Sequence, residues 1–278
     1  MAAQCRLWTV FARHTLGLRN MAVVASTWVD DYLARIGATR PDRADDDALR
    51  DLHWRHLLTV PFENLSVHLG EQIVLDEAAL VAKIVERHRG GFCYELNGAF
   101  SALLTALGYD VELLAARGYG ANGLGIPYDH LALRVGEWLV DVGFGSHSHY
   151  PLRTDDRADQ VDPGGTFRVE VDPDGDLVVY RNGEPQYRAW SRPQALRDFV
   201  AGCWWHRTSP ESHFTRSLVC SLTTEDGRLT LAGRALIRTV NGERHEQVLD
   251  GDETVLEAYR VYFGIDLDRV PQVREAAS

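Results

Sequence analysis

The spacing of apolar residues changes character once along this chain, near Gly108. Upstream of it the apolar positions recur every three or four residues, the period of a helix with one buried face. Trp28, Tyr32, Leu33 and Ile36 share such a face, which Gly37 and Pro41 bring to an end. A second helix carries Leu49, Leu52, His53, His56 and Leu57. Asp45, Asp46 and Asp47 stand at its start, where the helix dipole favours acids, and it stops before Pro61. A third begins near Asp76, buries Leu80, Val81, Ile84 and Val85, and ends at Gly90-Gly91. The fourth has the cleanest stripe, Leu96, Ala99, Phe100, Leu103, Leu104 and Leu107, with Gly108 as its C-terminal cap.

Beyond Gly108 the period shortens to that of strands. Residues 111–116, 131–135, 138–142, 167–171 and 177–180 alternate in the manner of a sheet, and Asp172-Pro173-Asp174-Gly175 and Asn182-Gly183 read as turns between them. A helix is predicted after Ser191, with Pro193 in its first turn and Leu196, Phe199, Val200 and Cys203 on one face. Strand-like runs at 217–222, 228–231 and 235–240 follow, punctuated by Asp226-Gly227 and Asn241-Gly242. A last helix holds Val255, Leu256, Tyr259, Tyr262 and Phe263 and ends at Gly264. Helices come first, antiparallel strands next and a mixed segment last, which is an α+β chain without internal repeats.

Composition narrows the class of partner. At 278 residues the chain has room for one to three domains. Twenty-nine basic against forty acidic residues leave a net charge of −11, a poor match to nucleic acid or an anionic membrane. No apolar run approaches the ~18–20 residues of a spanning helix. The four cysteines form no C-x-x-C pair, so free thiols in a reducing, cytoplasmic setting are expected. Residues 1–20 contain Arg6, Arg13 and Arg19 and no acid, and are read as a flexible extension ahead of Met21.

Two stretches carry candidate chemistry. In Arg89-Gly90-Gly91-Phe92-Cys93-Tyr94-Glu95-Leu96-Asn97-Gly98 the glycines let the backbone turn sharply and place Cys93 at the N-terminal edge of the fourth helix. There the dipole and free N–H groups stabilise a thiolate, although a buried free cysteine is also a common small hydrophobe. In Tyr128-Asp129-His130-Leu131-Ala132-Leu133-Arg134-Val135-Gly136-Glu137-Trp138-Leu139-Val140-Asp141-Val142-Gly143, a two-residue Gly136-Glu137 turn sets Val135 opposite Trp138 and His130 opposite Gly143. His130 and Asp141 then project from one face as diagonal neighbours, with Cβ atoms ~7–8 Å apart, close enough for a carboxylate to orient an imidazole. A solvated histidine and a turn-end aspartate fit the pattern equally well, and Asp129 is a rival acid on the opposite face.

Taken together, R-G-G-F-C-Y-E-L-N-G, D-H-L-A-L and D-V-G-F-G resemble the arylamine N-acetyltransferase family. So do Pro61-Phe62-Glu63-Asn64-Leu65, Thr208-Ser209-Pro210-Glu211-Ser212-His213-Phe214 and Asp226-Gly227-Arg228, and the resemblance runs from about Thr27 to Asp266. It implies an N-terminal helical bundle (21–108) carrying the cysteine, a central antiparallel β-barrel-like domain (109–190) carrying histidine and aspartate, and an interdomain helix with an α/β lid (191–278), around a cysteine-proteinase-like core. It also implies a Cys93–His130–Asp141 triad that moves an acetyl group from acetyl-CoA, as donor substrate, to an arylamine, hydrazine or arylhydroxylamine. Phe62, Tyr94 and Phe144 are the implied acceptor contacts, against the alternative of ordinary core aromatics for Phe62 and Phe144. Gly143, Trp205, Thr208 and Ser212 are the implied CoA contacts, and no metal is expected.

Three other readings compete. An amide synthase of macrolactam biosynthesis resembles the same fold and takes its acyl chain from a carrier protein. The short segment after Phe263-Gly264-Ile265 and the short loop before His130 favour it. A cysteine hydrolase needs the same triad, and a catalytically silent binding module needs none of it. Gly118-x-Gly120-x-x-Gly123 spells a dinucleotide fingerprint without the helix that reading requires. His53 and His56 are read as a helix face rather than a metal site, His147 and His149 as solvated, and Cys5, Cys203 and Cys220 as inert.

Overall fold

The computed structural model describes residues 28–121 and 123–273. The extension expected at 1–20, with Cys5, lies outside them. The helical part opens with α1 (residues 28–35) and α2 (Asp46–Thr59), followed by β1 (Phe62–Glu63), α3 (Leu65–Leu69), α4 (Glu77–Val85) and α5 (Cys93–Ala106). Asp45 caps α2 by accepting from the Ala48 amide, and Asp76 caps α4 by accepting from Ala79.

The strands that follow are β2 (Val111–Gly120), β3 (Gly123–Leu124), β4 (His130–Val135), β5 (Trp138–Val140), β6 (Leu152–Arg153), β7 (Gln160–Asp162), β8 (Gly165–Val171), β9 (Leu177–Arg181) and β10 (Glu184–Ala189). They form one antiparallel sheet in the order β6-β5-β4-β2-β10-β9-β8-β7, with β3 on β2. The two ends of that order meet. The Gln160 side chain of β7 accepts from the Arg153 amide of β6 at 2.7 Å and donates to its carbonyl at 2.9 Å. The sheet is therefore a nearly closed barrel. Its interior holds Leu114, Ala116, Ala132, Phe167, Val169, Val179 and Tyr187, while Ala115, Leu131 and Leu133 face the helices. The alternation along β2 and β4 is the period of two written into their sequence.

A 3-10 turn (Leu196–Phe199) leads into α6 (Val200–Thr208) and α7 (His213–Arg216), then β11 (Val219–Thr224), β12 (Gly227–Ala232), β13 (Ala235–Val240), β14 (Glu243–Val248) and α8 (Asp252–Phe263). The second sheet runs β1-β11-β12-β13-β14 and packs Leu218, Cys220, Leu229 and Leu231 against Val255, Tyr259 and Phe263 of α8. Among the described residues no helix is long and apolar enough to cross a membrane.

The helix expected straight after Ser191 begins later. The amide of Gln194 bonds the Leu113 carbonyl of β2 at 2.8 Å, so Pro193 leads into a β-bridge instead of standing in a helical first turn. The β11–β12 turn is Glu225-Asp226, since Thr224 pairs with Gly227. The fingerprint glycines Gly118 and Gly120 lie in β2 and lead into the β2–β3 hairpin, and no helix follows them.

Candidate active site

The nucleophile candidate is placed by two glycines that cannot be replaced without moving the backbone. A Cβ on Gly90 would fall 1.8 Å from the Pro61 carbonyl oxygen, and one on Gly91 would meet the Glu95 side chain at 2.6 Å. The chain thus passes tightly under β1, where the Glu63 amide bonds the Gly91 carbonyl at 2.8 Å. It then turns at Phe92 so that Cys93 is the first residue of α5. The Glu95 carboxylate reaches back to the Phe92 amide at 3.3 Å, closing the helix start from the side-chain side.

Buried charge holds this corner. Lys83 of α4 donates to Glu95 at 2.6 Å and lies 3.7 Å from Glu63. Arg89 donates to Glu63 at 3.0 Å and to Glu71, and the Glu63 carboxylate also accepts from the Leu65 amide at 2.6 Å. Burial alone would raise the Glu63 carboxyl, yet Lys83 and Arg89 hold it below its usual range. Glu95 is pushed up, because for it burial outweighs Lys83.

On the barrel side, Val135 pairs with Trp138 across the Gly136-Glu137 turn and the β4–β5 ladder ends at Leu133 opposite Val140. Past that point β5 leaves the sheet, and Asp141 turns toward His130 rather than remaining in register. The carboxylate Oδ2 accepts from His130 Nε2 at 2.7 Å, both residues buried. Cys93 lies beside the same imidazole and adds to the shift that keeps it charged. The second carboxylate oxygen accepts from Asn97 Nδ2 at 2.8 Å and from the Gly143 amide at 3.0 Å.

The charges follow from this geometry. Burial pulls the His130 pKa down, but the Asp141 carboxylate more than reverses it, and with Cys93 beside the ring the value is raised to about 10. Burial would raise Asp141, and the His130 cation, with Asn97 donating, holds it well below the carboxylate range. The site can therefore keep an imidazolium next to a cysteine sulfur at neutral pH.

Asn97 had no role in the sequence reading. It stands one turn after Cys93 and ties helix to barrel by donating to the Leu131 carbonyl at 2.6 Å and accepting from the Val142 amide at 2.9 Å. A buried polar residue four positions after the cysteine, on an otherwise apolar face, was the available signal. His53 stands on the buried face of α2. It is fully buried behind Asp141, whose amide points at His53 Nε2 at 3.4 Å, while Nδ1 bonds the His149 carbonyl at 3.0 Å. His56 is also buried, bonded to the Tyr32 hydroxyl at 3.1 Å. His147 is enclosed rather than solvated, 6% exposed, and His149 stacks on Trp54. Cys203 and Cys220 are buried free thiols, pushed up by burial.

The remaining expected contacts divide. Phe144 packs edge-on to the His130 ring with centroids 5.0 Å apart, and half-buried Phe62 faces Gly145. Tyr94 points the other way. It is fully enclosed, and its hydroxyl donates to the Tyr128 and Asp129 carbonyls at 2.6 and 3.0 Å, so it latches the strand entry instead of facing a cleft. The rival acid Asp129 turns from His130 to pair with His206 at 3.1 Å. What presses on Gly143 is Cys93 itself: a Cβ there would meet Cys93 Cα at 2.8 Å. Ser212 is fully buried as the cap of α7 and bonds His206, which takes its hydroxyl away from any phosphate. Thr208, exposed, donates to the Trp204 carbonyl, and Trp205 packs on His206.

Residues 45–273 match the model of a family described as N-acetyltransferase. The arylamine N-acetyltransferase of Mycolicibacterium smegmatis is 35% identical over 250 residues, covering 85% of this chain and 91% of the relative. The solved arylamine N-acetyltransferase of Salmonella typhimurium superposes with a TM-score of 0.81 at 30% identity, over 89% of this chain and 94% of the other. That of Mycobacterium marinum in complex with CoA does so with a TM-score of 0.77 at 32% identity, over 85% and 92%. With its buried cysteine–imidazole–carboxylate corner between helices and barrel, this chain belongs to the arylamine N-acetyltransferase family.

Proposed function

We propose that the chain moves an acetyl group from acetyl-CoA to the nitrogen of an arylamine, hydrazine or arylhydroxylamine in two steps through an acetyl-Cys93. The observation that carries this is the buried His130 ring, bonded through Nε2 to Asp141 and with Cys93 beside it. Cys93 as thiolate attacks the thioester carbonyl, a new S–C bond forms, and the bond between that carbonyl carbon and the CoA sulfur breaks. The departing CoA thiolate takes the imidazolium proton. The amine nitrogen then attacks the acetyl-cysteine, its proton passes to His130, and the Cys93 sulfur leaves as thiolate. Asp141 holds the ring orientation and stabilises its cationic form. A relative of similar fold was solved with CoA bound, which supports the donor class. Phe62 and Phe144 would form the flat walls for the acceptor ring. Trp205 and Thr208 remain on the accessible side of α6 for the donor, and Gly143 would present backbone to its thioester end. Three buried free thiols fit a reducing, cytoplasmic setting.

The test is intact mass after mixing with acetyl-, propionyl- and malonyl-CoA beside a Cys93→Ala control. A single acyl adduct that needs Cys93 and vanishes on adding an arylamine or hydrazide is expected. No adduct from any free CoA thioester, with Cys93 still open to alkylation, would overturn acetyl-CoA as donor and favour the amide-synthase reading with a carrier-bound chain.

A further inference from the structure

Where the loop after Gly143 meets the second sheet, a cavity of about 520 Å3 opens among Ser146, His147, Arg181, Arg228 and the hairpin tips at 225–226 and 241–242. Its two arginines have only neutral partners among the described residues. Arg228 donates to the Ser221 hydroxyl at 2.8 Å, the Gly145 carbonyl at 2.5 Å and the Thr223 hydroxyl at 3.1 Å. Arg181 donates to Ser146, to its carbonyl at 3.2 Å and its hydroxyl at 3.1 Å. Elsewhere on the barrel, Arg188 meets three aspartates. The Nε of Arg181 and the Nδ1 of His147 are buried with no hydrogen-bond partner, and His147 is 94% enclosed by the value of its exposure, 6%. Buried polar nitrogens without a partner, beside two cations without a counter-charge, are costly unless something completes them.

The cavity adjoins the reacting centre. Phe144 touches both the His130 and the His147 rings, with centroids 5.0 and 5.2 Å apart. Arg228 grips the carbonyl of Gly145, two residues beyond the glycine that abuts Cys93. An extended chain spans ~3.3–3.6 Å per residue, so that contact lies at most about 7 Å along the backbone from Gly143. One benzene ring bridges such a span. The residues expected to meet the CoA donor, Trp205, Thr208 and Ser212, do not line this cavity. Glu225 and Asp226 border it, but both are exposed at the rim, where water screens them more than it screens the half-buried arginines. Burial and the Arg181 charge together lower Arg228 to about 10, which leaves it cationic at neutral pH.

We propose that Arg181, Arg228 and His147 form an anion subsite that binds the carboxylate of an aromatic-amine acceptor while its amine reaches Cys93. The proposal rests on the acyl-transfer reading for the role of the ligand, and its test separates the two. In the Cys93→Ala protein, which binds without turnover, calorimetry with 4-aminobenzoate and with its ethyl ester reads the subsite alone. The acid should bind tighter than the ester, and Arg181→Gln should weaken the acid by about ten- to a hundred-fold and leave the ester within about two-fold, as expected for loss of a charge-assisted contact. Arg228→Gln, accepted only if its thermal midpoint stays near that of the parent, should do the same. In the active protein, the acid-to-ester ratio of kcat/KM should collapse in Arg181→Gln with the rate of acyl-enzyme formation unchanged. Equal losses for acid and ester, or no preference for the acid in the parent, would overturn the subsite. So would an unchanged ratio with a raised KM for acetyl-CoA, which would assign the arginines to donor phosphate. Failure of acyl-enzyme formation with acid binding intact would sink the acyl-transfer reading and leave the anion subsite standing.

Discussion

His130 keeps its proton to about pH 10 although burial works against the charge, because Asp141 accepts from it at 2.7 Å. Replacing that carboxylate by an amide removes the opposing charge and leaves burial unopposed. Asp141→Asn should therefore be neutral at His130 at pH 7 and acylate Cys93 about 10⁴-fold more slowly, the loss seen when the orienting acid of a triad is neutralised. The NMR shift of the His130 ring against pH checks it. The parent ring should titrate near pH 10, and a variant with the same profile would show that another group holds the proton. The pair also contributes to stability with a definite sign. His130 is raised, so its share is full below about pH 6.5 and is lost as pH climbs through about 10; Asp141 is depressed, so its share is full above about pH 4 and is lost in acid. Urea midpoints of parent minus Asp141→Asn should be level from about pH 4 to 6.5 and shrink on either side.

At the level of elements, α5 delivers Cys93 only if its first turn is held. Lys83 of α4 does this by pairing with Glu95 in that turn, both almost fully enclosed. Lys83→Met would leave Glu95 buried without its cation and should cost about 3–5 kcal/mol in urea unfolding. Lys83→Met with Glu95→Gln should regain part of that, since the glutamine can still reach the Phe92 amide. A single variant that loses less than about 1 kcal/mol would show the pair to be dispensable. The other side of the same contact is Gly143 against α5. A Cβ at Gly143 meets Cys93 Cα at 2.8 Å and Asn97 Nδ2 at 2.7 Å, so Gly143→Ala must push helix and barrel apart. A displacement near 1 Å at a reacting group costs about 100-fold, and the acyl-adduct rate should fall by that order while the protein stays folded.

Across the whole molecule, the lid sheet takes its edge strand from the helical part. Phe62 and Glu63 form its edge strand, pairing with Ser221 and Cys220. Asn64 fastens the next turn, donating to the Phe214 and Ser217 carbonyls at 3.0 and 2.6 Å and accepting from the Val219 amide at 2.9 Å. Asn64→Ala orphans these buried groups at about 1–3 kcal/mol each. Amide hydrogen exchange should quicken in β11 and α7 and stay unchanged in β8 and β9, which lie in the other sheet. Uniform quickening would mean that lid and barrel unfold as one unit.

The sequence alone determined whatever depends on neighbours in the chain. The amphipathic stripe of α5, the turn chemistry of Asn182-Gly183 and Asn241-Gly242, and the pairing of Val135 with Trp138 are all local, and each was legible. So was the candidate cysteine at a helix start after a glycine pair. Elements without a local period were not. Every residue of β14 is exposed, so no alternation marks it, and α3 is a single turn set by the Asn64 and Glu63 contacts. Residue roles that depend on distant packing were decided only by the tertiary structure. Tyr94 and Ser212 carry polar groups suited to a ligand, yet the fold spends them on backbone carbonyls and a helix cap. Asn97, His53 and Arg228 had no assigned role in the site along the chain and stand beside the centre because barrel, helices and lid converge there. A side chain's hydrogen-bonding potential is written in its sequence position, but which partner satisfies it is settled by whatever the folded chain brings within 3 Å.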